Sequence, residues 1–342
     1  MISFKDAYKK VLALYQDFGL EQIPLETAMG RVLAEDIVAD RNFPPFNRAT
    51  KDGIAINYDA IENGLTSFKI EGVLAAGMPS QQLKDTSNCI EIMTGAVVPN
   101  NADTVVMYEH LIIEYGSATL TKKPNRGQDI HLDGSDQIKG DLVLKKHCIL
   151  SASEIGILAA VGKASIKVRK LPTVAIVSTG NELVEVEETP LPHQIRKSNI
   201  HTLYAALSEE GIVPTKLHLP DEKASIKKAL DNTLREHKAV LLSGGVSKGK
   251  FDFLPQVLEE LGVEKIFHGV YQRPGKPFWF GIQRETKTVV FSFPGNPVST
   301  FANYNVYFKD WLRRSLGLPL PKIDVILKEA VAVKGDLTLL LR

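Results

Sequence analysis

The chain has 342 residues, 44% hydrophobic and 24% charged, with 41 Lys and Arg against 40 Asp and Glu for a formal net charge of +1. That is the composition of a soluble globular protein of two or three domains, and its balanced charge offers no field to attract nucleic acid or an anionic membrane. Two cysteines without paired spacing, Cys89 and Cys148, argue against a disulfide scaffold or zinc ribbon and fit a reducing cytoplasm, and no run approaches the roughly 18 apolar residues of a membrane span.

Residues 3–18 set Ala7, Val11, Leu14, Tyr15 and Phe18 on helical spacing, with Ser3 as cap and Gly19 as stop. Residues 20–43 read as a short helical turn and an extended segment ending in Phe43-Pro44-Pro45-Phe46. Neither proline fits inside a paired central strand, so a boundary falls there. Over 46–130, short β-like runs (68–74, 89–93, 104–108, 111–114 and 118–122) alternate with Gly, Pro and Asn clusters. This is the pattern of a small β-rich domain inserted into a longer element. Within and after it, the stretches around Asp52-Gly53, Thr94-Gly95 and Gly134-Ser135-Asp136 read locally as turns. Over 141–168 apolar patterning resumes, with Ser151 and Glu154 forming a capping box and Gly162 ending the helix.

From Thr173 the pattern is regular. Strands at 173–178, 213–219, 239–242, 264–270, 278–283 and 288–293 alternate with helices at 198–210, 221–235, 253–261 and 297–316. Asp221 and Asp252 stand where helix caps belong. A mostly parallel sheet with helices on both faces follows, with ligands expected at the carboxyl ends of its strands. Residues 317–342 begin something β-like.

Three strand-to-helix loops share one style. They are Ser178-Thr179-Gly180-Asn181-Glu182-Leu183, the stretch from Ser243-Gly244-Gly245 through Ser247 and Gly249 to Asp252, and Pro294-Gly295-Asn296-Pro297-Val298-Ser299. Each sets backbone N–H groups beside a helix N-terminus, which favours an anion. The second nearly spells the phosphate loop of nucleotide triphosphatases, but Phe251 stands where Ser or Thr would hold Mg²⁺. A Gly-rich turn without a ligand is the other reading of any one of them. Three in one α/β domain point to a phosphorylated or nucleotide ligand. Arg273-Pro274-Gly275-Lys276-Pro277 adds cations suited to phosphate, or else is a solvated basic turn. Glu182, Asp221 and Asp252 recur close by. Carboxylates beside polyphosphate call for a divalent cation between them, usually Mg²⁺, unless Asp221 and Asp252 serve only as caps. The histidines lack zinc-ligand spacing.

Six stretches occur in order: PPFNRATKDGIA (44–55), IMTGAVVP (92–99), STGNEL (178–183), SGGVSKGKFD (243–252), RPGKPFWFG (273–281) and FPGNPVS (293–299). Together they resemble the MoeA/gephyrin E-domain family, the molybdopterin molybdenumtransferases, from about residue 3 to the chain end. The resemblance implies an α/β multidomain fold. Residues 1–43 and 133–168 would form a stalk, 44–132 an inserted β-rich domain and 169–318 a MogA-like three-layer α/β domain. Residues 319–342 would begin a C-terminal β-barrel, cut short at Arg342. It further implies a cytoplasmic homodimer with its site at the subunit interface, acting after a molybdopterin adenylyltransferase. The implied reaction is Mg²⁺-dependent cleavage of adenylyl-molybdopterin, releasing AMP while molybdate is ligated to the dithiolene.

Carried over by position, Glu182, Asp221 and Asp252 would be catalytic and metal-holding acids. Asp52, Thr94 and Asp136 would be functional residues supplied by the partner subunit. Thr179, Gly180, Ser243, Gly244, Gly245, Ser247, Gly249, Pro294, Gly295, Asn296 and Pro297 would line the ligand loops. Arg273, Gly275 and Lys276 would form the basic loop that meets pterin phosphate or molybdate. The chain departs from the family pattern at Asn47, Ala49, Lys51, His131, Leu132 and Ser135. The same α/β domain also fits MogA-like adenylylation with ATP, CinA-like pyrophosphate hydrolysis, or a dimeric scaffold. The MogA-like and CinA-like relatives do not normally carry a counterpart of residues 1–168.

Overall fold

Strands too apolar to face water on either side dominate the C-terminal half. Val174–Thr179 and Thr288–Phe293 are buried at every residue, as parallel strands covered on both faces must be. In the computed structural model, which describes residues 1–245, 253–321, 323–326, 328–332, 335 and 337–341, the chain divides into two compact units. One comprises Met1–Glu35, Lys146–Ile155 and Ser165–Arg342; the other comprises Asp36–Lys145 and Gly156–Ala164.

The first unit holds a six-stranded sheet in the order Thr215–Leu219, Val174–Thr179, Ala239–Ser243, Thr288–Phe293, Trp279–Gln283, Val263–His268. The first four strands run parallel, whereas Trp279–Gln283 and its neighbours pair antiparallel. The sheet is therefore mixed, with its direction reversing toward one edge. Alternate residues feed two cores, as the strand period of two requires. Ile176, Leu241, Val289 and Phe291 pack with the helices Phe4–Ala13, Ser198–Glu209 and Lys309–Ser315. Val177, Val240, Leu242 and Val290 pack with Lys223–Glu236 and Leu254–Glu260. The result is a three-layer α/β arrangement.

Two helices end differently from their sequence pattern. The first stops at Ala13 rather than continuing to 18, because the Leu14 carbonyl accepts Trp311 Nε1–H at 2.8 Å instead of a helical N–H. Phe18 still reaches the core and meets Trp311 edge-on, ring centres 5.9 Å apart. The last helix is interrupted by a π-helical turn over Tyr304–Phe308, a departure frequent at functional sites.

The second unit is built on another six-stranded sheet, ordered Thr104–Met107, Gly53–Ile56, Cys89–Ile92, Ser67–Leu74, Ser117–Leu120, Leu111–Glu114. Gly53 is not at the tip of a turn. It opens a fully buried strand, where a Cβ would collide with the Val106 carbonyl oxygen of the neighbouring strand.

Candidate functional site

The sheet order places Thr215–Leu219 on one side of the first strand and Ala239–Ser243 on the other. Connections therefore diverge at the carboxyl ends of Val174–Thr179 and Ala239–Ser243, the switch point where such sheets open a crevice. A cavity of about 90 Å³ lies there, lined among others by Thr179, Glu182, Lys197, Asn199, Ser243, Gly244, Gly295 and Pro297. A larger cavity of about 480 Å³ lies against Val263–His268 and the Leu254–Glu260 helix and contains none of the site residues expected from the sequence. Position on the sheet therefore outweighs size in choosing between the two.

Glycines let three loops meet at this crevice. Gly244 and Gly245 have φ of +98° and +67°, and a Cβ on Gly245 would stand 2.5 Å from Leu254 Cδ1. A Cβ on Gly295 would touch Gly244 Cα at 3.9 Å, so the two loops are neighbours. A Cβ on Gly180 would collide with the Glu182 carboxylate, which lies over it. The glycine N–H groups are not all free. Gly244 donates to the Phe293 carbonyl oxygen at 3.2 Å, while Gly245 N–H has no acceptor among the described residues. Asn296 is spent on capping, its Oδ1 accepting Ser299 N–H at 3.1 Å, with Pro297 at the first helical position. The Pro294 carbonyl oxygen accepts the Thr300 hydroxyl at 2.6 Å.

Asn199 is the residue that sequence reading missed. Its Nδ2 donates to Ser243 Oγ and to the Gly295 carbonyl oxygen, both at 2.8 Å, tying two loops together. Its Oδ1 is buried without a partner among the described residues, and so is Thr179 Oγ1, which lines the same cavity. Buried polar atoms left unpaired call for an explanation, and an absent ligand or water facing them is one. The only sequence signal was a polar residue in the first turn of a helix otherwise without a side-chain cap. Beside it, Lys197 is buried and paired with Glu185 at 2.5 Å.

Asp221 does not cap its helix, which begins at Lys223 after Glu222. Instead Asn181 N–H donates to Asp221 Oδ2 and Asp221 N–H to Asn181 Oδ1, both at 3.2 Å. That pair anchors the Asn181-Glu182 loop. Asp221 Oδ1 and both Glu182 carboxylate oxygens accept no hydrogen bond among the described residues. Asp252, Ser247 and Gly249 lie outside the described residues. Arg273 and Lys276 are exposed and make no ion pair among the described residues, and Gly275 between them is buried. His218 Nδ1 meets Ser178 Oγ at 3.0 Å, and burial, then the nearby Lys197 charge, lowers its pKa.

In the other unit, Asp52 precedes the Gly53–Ile56 strand and binds Thr94. Asp136 accepts from His131 Nε2 at 2.9 Å, while Arg48 Nη2 meets His131 Nδ1 at 3.0 Å. A guanidinium only donates, so Nδ1 accepts and Nε2 carries the proton toward Asp136. Asn47 Oδ1 accepts Asp133 N–H at 2.8 Å. Two departures from the family pattern, Asn47 and His131, thus hold the loop that carries Asp136.

Residues 2–162 match the family described as MoeA N-terminal region (domain I and II), and residues 175–314 that described as probable molybdopterin binding domain. The chain is 39% identical over 313 residues to the molybdopterin molybdenumtransferase of Synechocystis sp., covering 91% of this chain and 80% of that relative. It is 32% identical over 323 residues to the molybdopterin molybdenumtransferase of Staphylococcus epidermidis, covering 92% and 76%. Among solved structures, a molybdopterin biosynthesis MoeA protein from Pyrococcus horikoshii superposes with a TM-score of 0.78 at 30% identity, covering 93% of this chain and 80% of that one.

Proposed function

The chain belongs to the MoeA family of molybdopterin molybdenumtransferases, and from that premise we propose that it binds adenylyl-molybdopterin at the switch-point crevice and inserts molybdate into the dithiolene, releasing AMP. One observation carries the placement: the crevice wall holds two buried polar atoms without partners among the described residues, Thr179 Oγ1 and Asn199 Oδ1. Both can accept hydrogen bonds from N–H groups such as those of an aminated heterocycle.

The donor set suits Mg²⁺. Glu182 and Asp221 offer hard carboxylate oxygens that no described residue occupies, and they flank one loop. Among the described residues no group of three His, Cys, Asp or Glu stands ready-made for a metal, so Asp252 is assigned the remaining position. Bound there, Mg²⁺ supplies charge neutralisation for cleavage of a phosphoanhydride. The chain's own residues do the rest. Gly245 N–H is left to donate to a phosphate oxygen, and the Asn199 bridge keeps the Ser243 and Gly295 loops together around the ligand. Arg273 and Lys276 attract the oxyanion.

Asp52, Thr94 and Asp136 are assigned to the same reaction from a partner subunit of a homodimer. A cytoplasmic enzyme downstream of a molybdopterin adenylyltransferase completes the reading. MogA-like adenylylation, CinA-like hydrolysis and pure scaffolding are the other readings of the α/β unit. The match over residues 2–162, outside that unit's sheet, favours metal transfer.

The test is to incubate the protein with adenylyl-molybdopterin and Mg²⁺, with and without molybdate or tungstate, and to measure AMP and mature cofactor. Oxyanion-dependent AMP release, lost in Glu182→Gln and Asp221→Asn, is the expected result. ATP consumption without oxyanion dependence, or full AMP release by both variants, would sink the proposal.

A further inference from the structure

Three polar side chains sit where the core of the α/β unit should be apolar. Gln272, Asn303 and Tyr307 are 1%, 0% and 0% exposed, among Phe278, Phe293 and Phe308. Burying them costs free energy unless their polar atoms are bonded. Their bonds run in one direction. The Tyr307 hydroxyl donates to Gln272 Oε1. Gln272 Nε2 donates to Asn303 Oδ1 at 2.7 Å and to the Pro274 carbonyl oxygen at 3.0 Å, which uses both of its N–H groups. Asn303 Nδ2 donates to the Gly275 carbonyl oxygen at 3.2 Å.

The chain of donors ends on the basic turn, and the turn is held along its whole length. The Arg273 carbonyl oxygen accepts Leu340 N–H at 2.9 Å, and that of Lys276 accepts Val270 and Phe278 N–H, both at 2.9 Å. Four consecutive carbonyl oxygens, Arg273 to Lys276, are therefore each bonded, those of Pro274 and Gly275 to the buried Gln272 and Asn303. Gly275 has φ of +89°, and a Cβ there would collide with Asn303 Oδ1 and stand 2.7 Å from Gln272 Nε2. The backbone faces the core, and both cationic side chains are left exposed.

We propose that Gln272 and Asn303 are positioning residues that pre-organise Arg273 and Lys276 as a site for a tetrahedral oxyanion. This rests on the reading of that turn as a ligand contact. The oxyanion has two sources, free molybdate and the phosphate of adenylyl-molybdopterin, and the KM of each substrate distinguishes them.

Gln272→Met and Asn303→Ser remove the donors to the turn. Each is expected to raise the KM of one substrate about tenfold while kcat stays within about threefold, because ordering the turn is then charged to binding. Hydrogen exchange of the amides that hold the turn's carbonyls, Val270, Phe278 and Leu340, should quicken, with that of Thr288–Phe293 unchanged. Tyr307→Phe keeps the buried ring and frees only Gln272 Oε1; it should shift the same readouts less, and it decides the matter if either amide variant fails to fold. Folded variants with wild-type KM for both substrates, or with unchanged exchange of the amides that hold the turn, overturn the proposal. If Arg273→Ala and Lys276→Ala leave both KM values unchanged, the turn is not a ligand contact. The underlying reading then fails and the proposal is overturned with it.

Discussion

Asp52 takes two hydrogen bonds from one residue, the backbone N–H of Thr94 at 2.6 Å and its hydroxyl at 2.8 Å, both on Oδ1. Bonds to the ionised carboxylate favour it, so the backbone bond first and the hydroxyl bond second hold Asp52 below the usual carboxylate range. The pair joins two turns that lie 42 positions apart in the chain.

Thr94→Val should return the Asp52 pKa part of the way upward while leaving the backbone bond in place. A ¹³C titration of the side-chain carboxyl reads this directly. The sign for stability follows from linkage: a depressed folded-state pKa contributes above the unfolded value and is lost as pH falls through the folded one. Thr94→Val should therefore flatten the acid limb of the unfolding curve. An unmoved midpoint for Asp52 would show that the hydroxyl does not bear on it.

Gly53→Ala places a methyl against the Val106 carbonyl oxygen between two antiparallel neighbours, where neither strand can step aside. Destabilisation of at least about 2 kcal/mol is expected in denaturant unfolding, at the upper part of the range for overpacking. A midpoint equal to wild type would mean that the strand bows freely.

Asn199→Ala cuts the bridge between Ser243 and Gly295 and removes one unpaired acceptor from the crevice. Losing bonds of this kind costs about 1–3 kcal/mol, so AMP should bind roughly tenfold or more weakly by calorimetry. Undiminished AMP binding would move the ligand elsewhere.

His218 should titrate below the ordinary imidazole range, because burial and then the Lys197 charge disfavour its protonated form. The unfolded chain thus binds the proton more readily, and this residue lowers stability as pH falls through the unfolded value. In Lys197→Met the NMR midpoint of His218 should rise. A midpoint that stays put would assign the shift to burial alone.

The parts of the fold that were legible in the sequence are those governed by near neighbours. The runs at 239–242 and 288–293 declared themselves because a strand buried on both faces must be apolar throughout. Two of the glycine loops were legible for a similar reason, since the backbone angles at Gly180, Gly244 and Gly245 exclude most other residues. What failed depended on partners far along the chain. Asp221 has the local signature of a cap, but Asn181, 40 positions away, claims it. The first helix has apolar spacing to Phe18, but Trp311, 297 positions from Leu14, takes the carbonyl that would extend it. Asn199 carries only a weak local mark of its role, because its partners stand 44 and 96 positions downstream. The sheet reversal, by contrast, was legible: only residues 284–287 separate Trp279–Gln283 from Thr288–Phe293, too few for a parallel crossover.

Under the proposed function, that reversal would shape how the crevice responds to ionic strength. Trp279 pairs with Ser292 in the antiparallel strand, so the Arg273–Lys276 turn, which precedes its strand, reaches the same rim as the loops that follow theirs. A loop arriving from that direction has no helix behind it and, under the proposed function, would meet an anion with formal side-chain charge. The glycine loops would meet it with backbone dipoles. Mobile ions screen the exposed cations over about 8–10 Å but scarcely touch short amide bonds inside a closed pocket. On that assignment salt would separate the two halves of the rim, weakening what the reversed strand delivers and sparing what the parallel strands deliver.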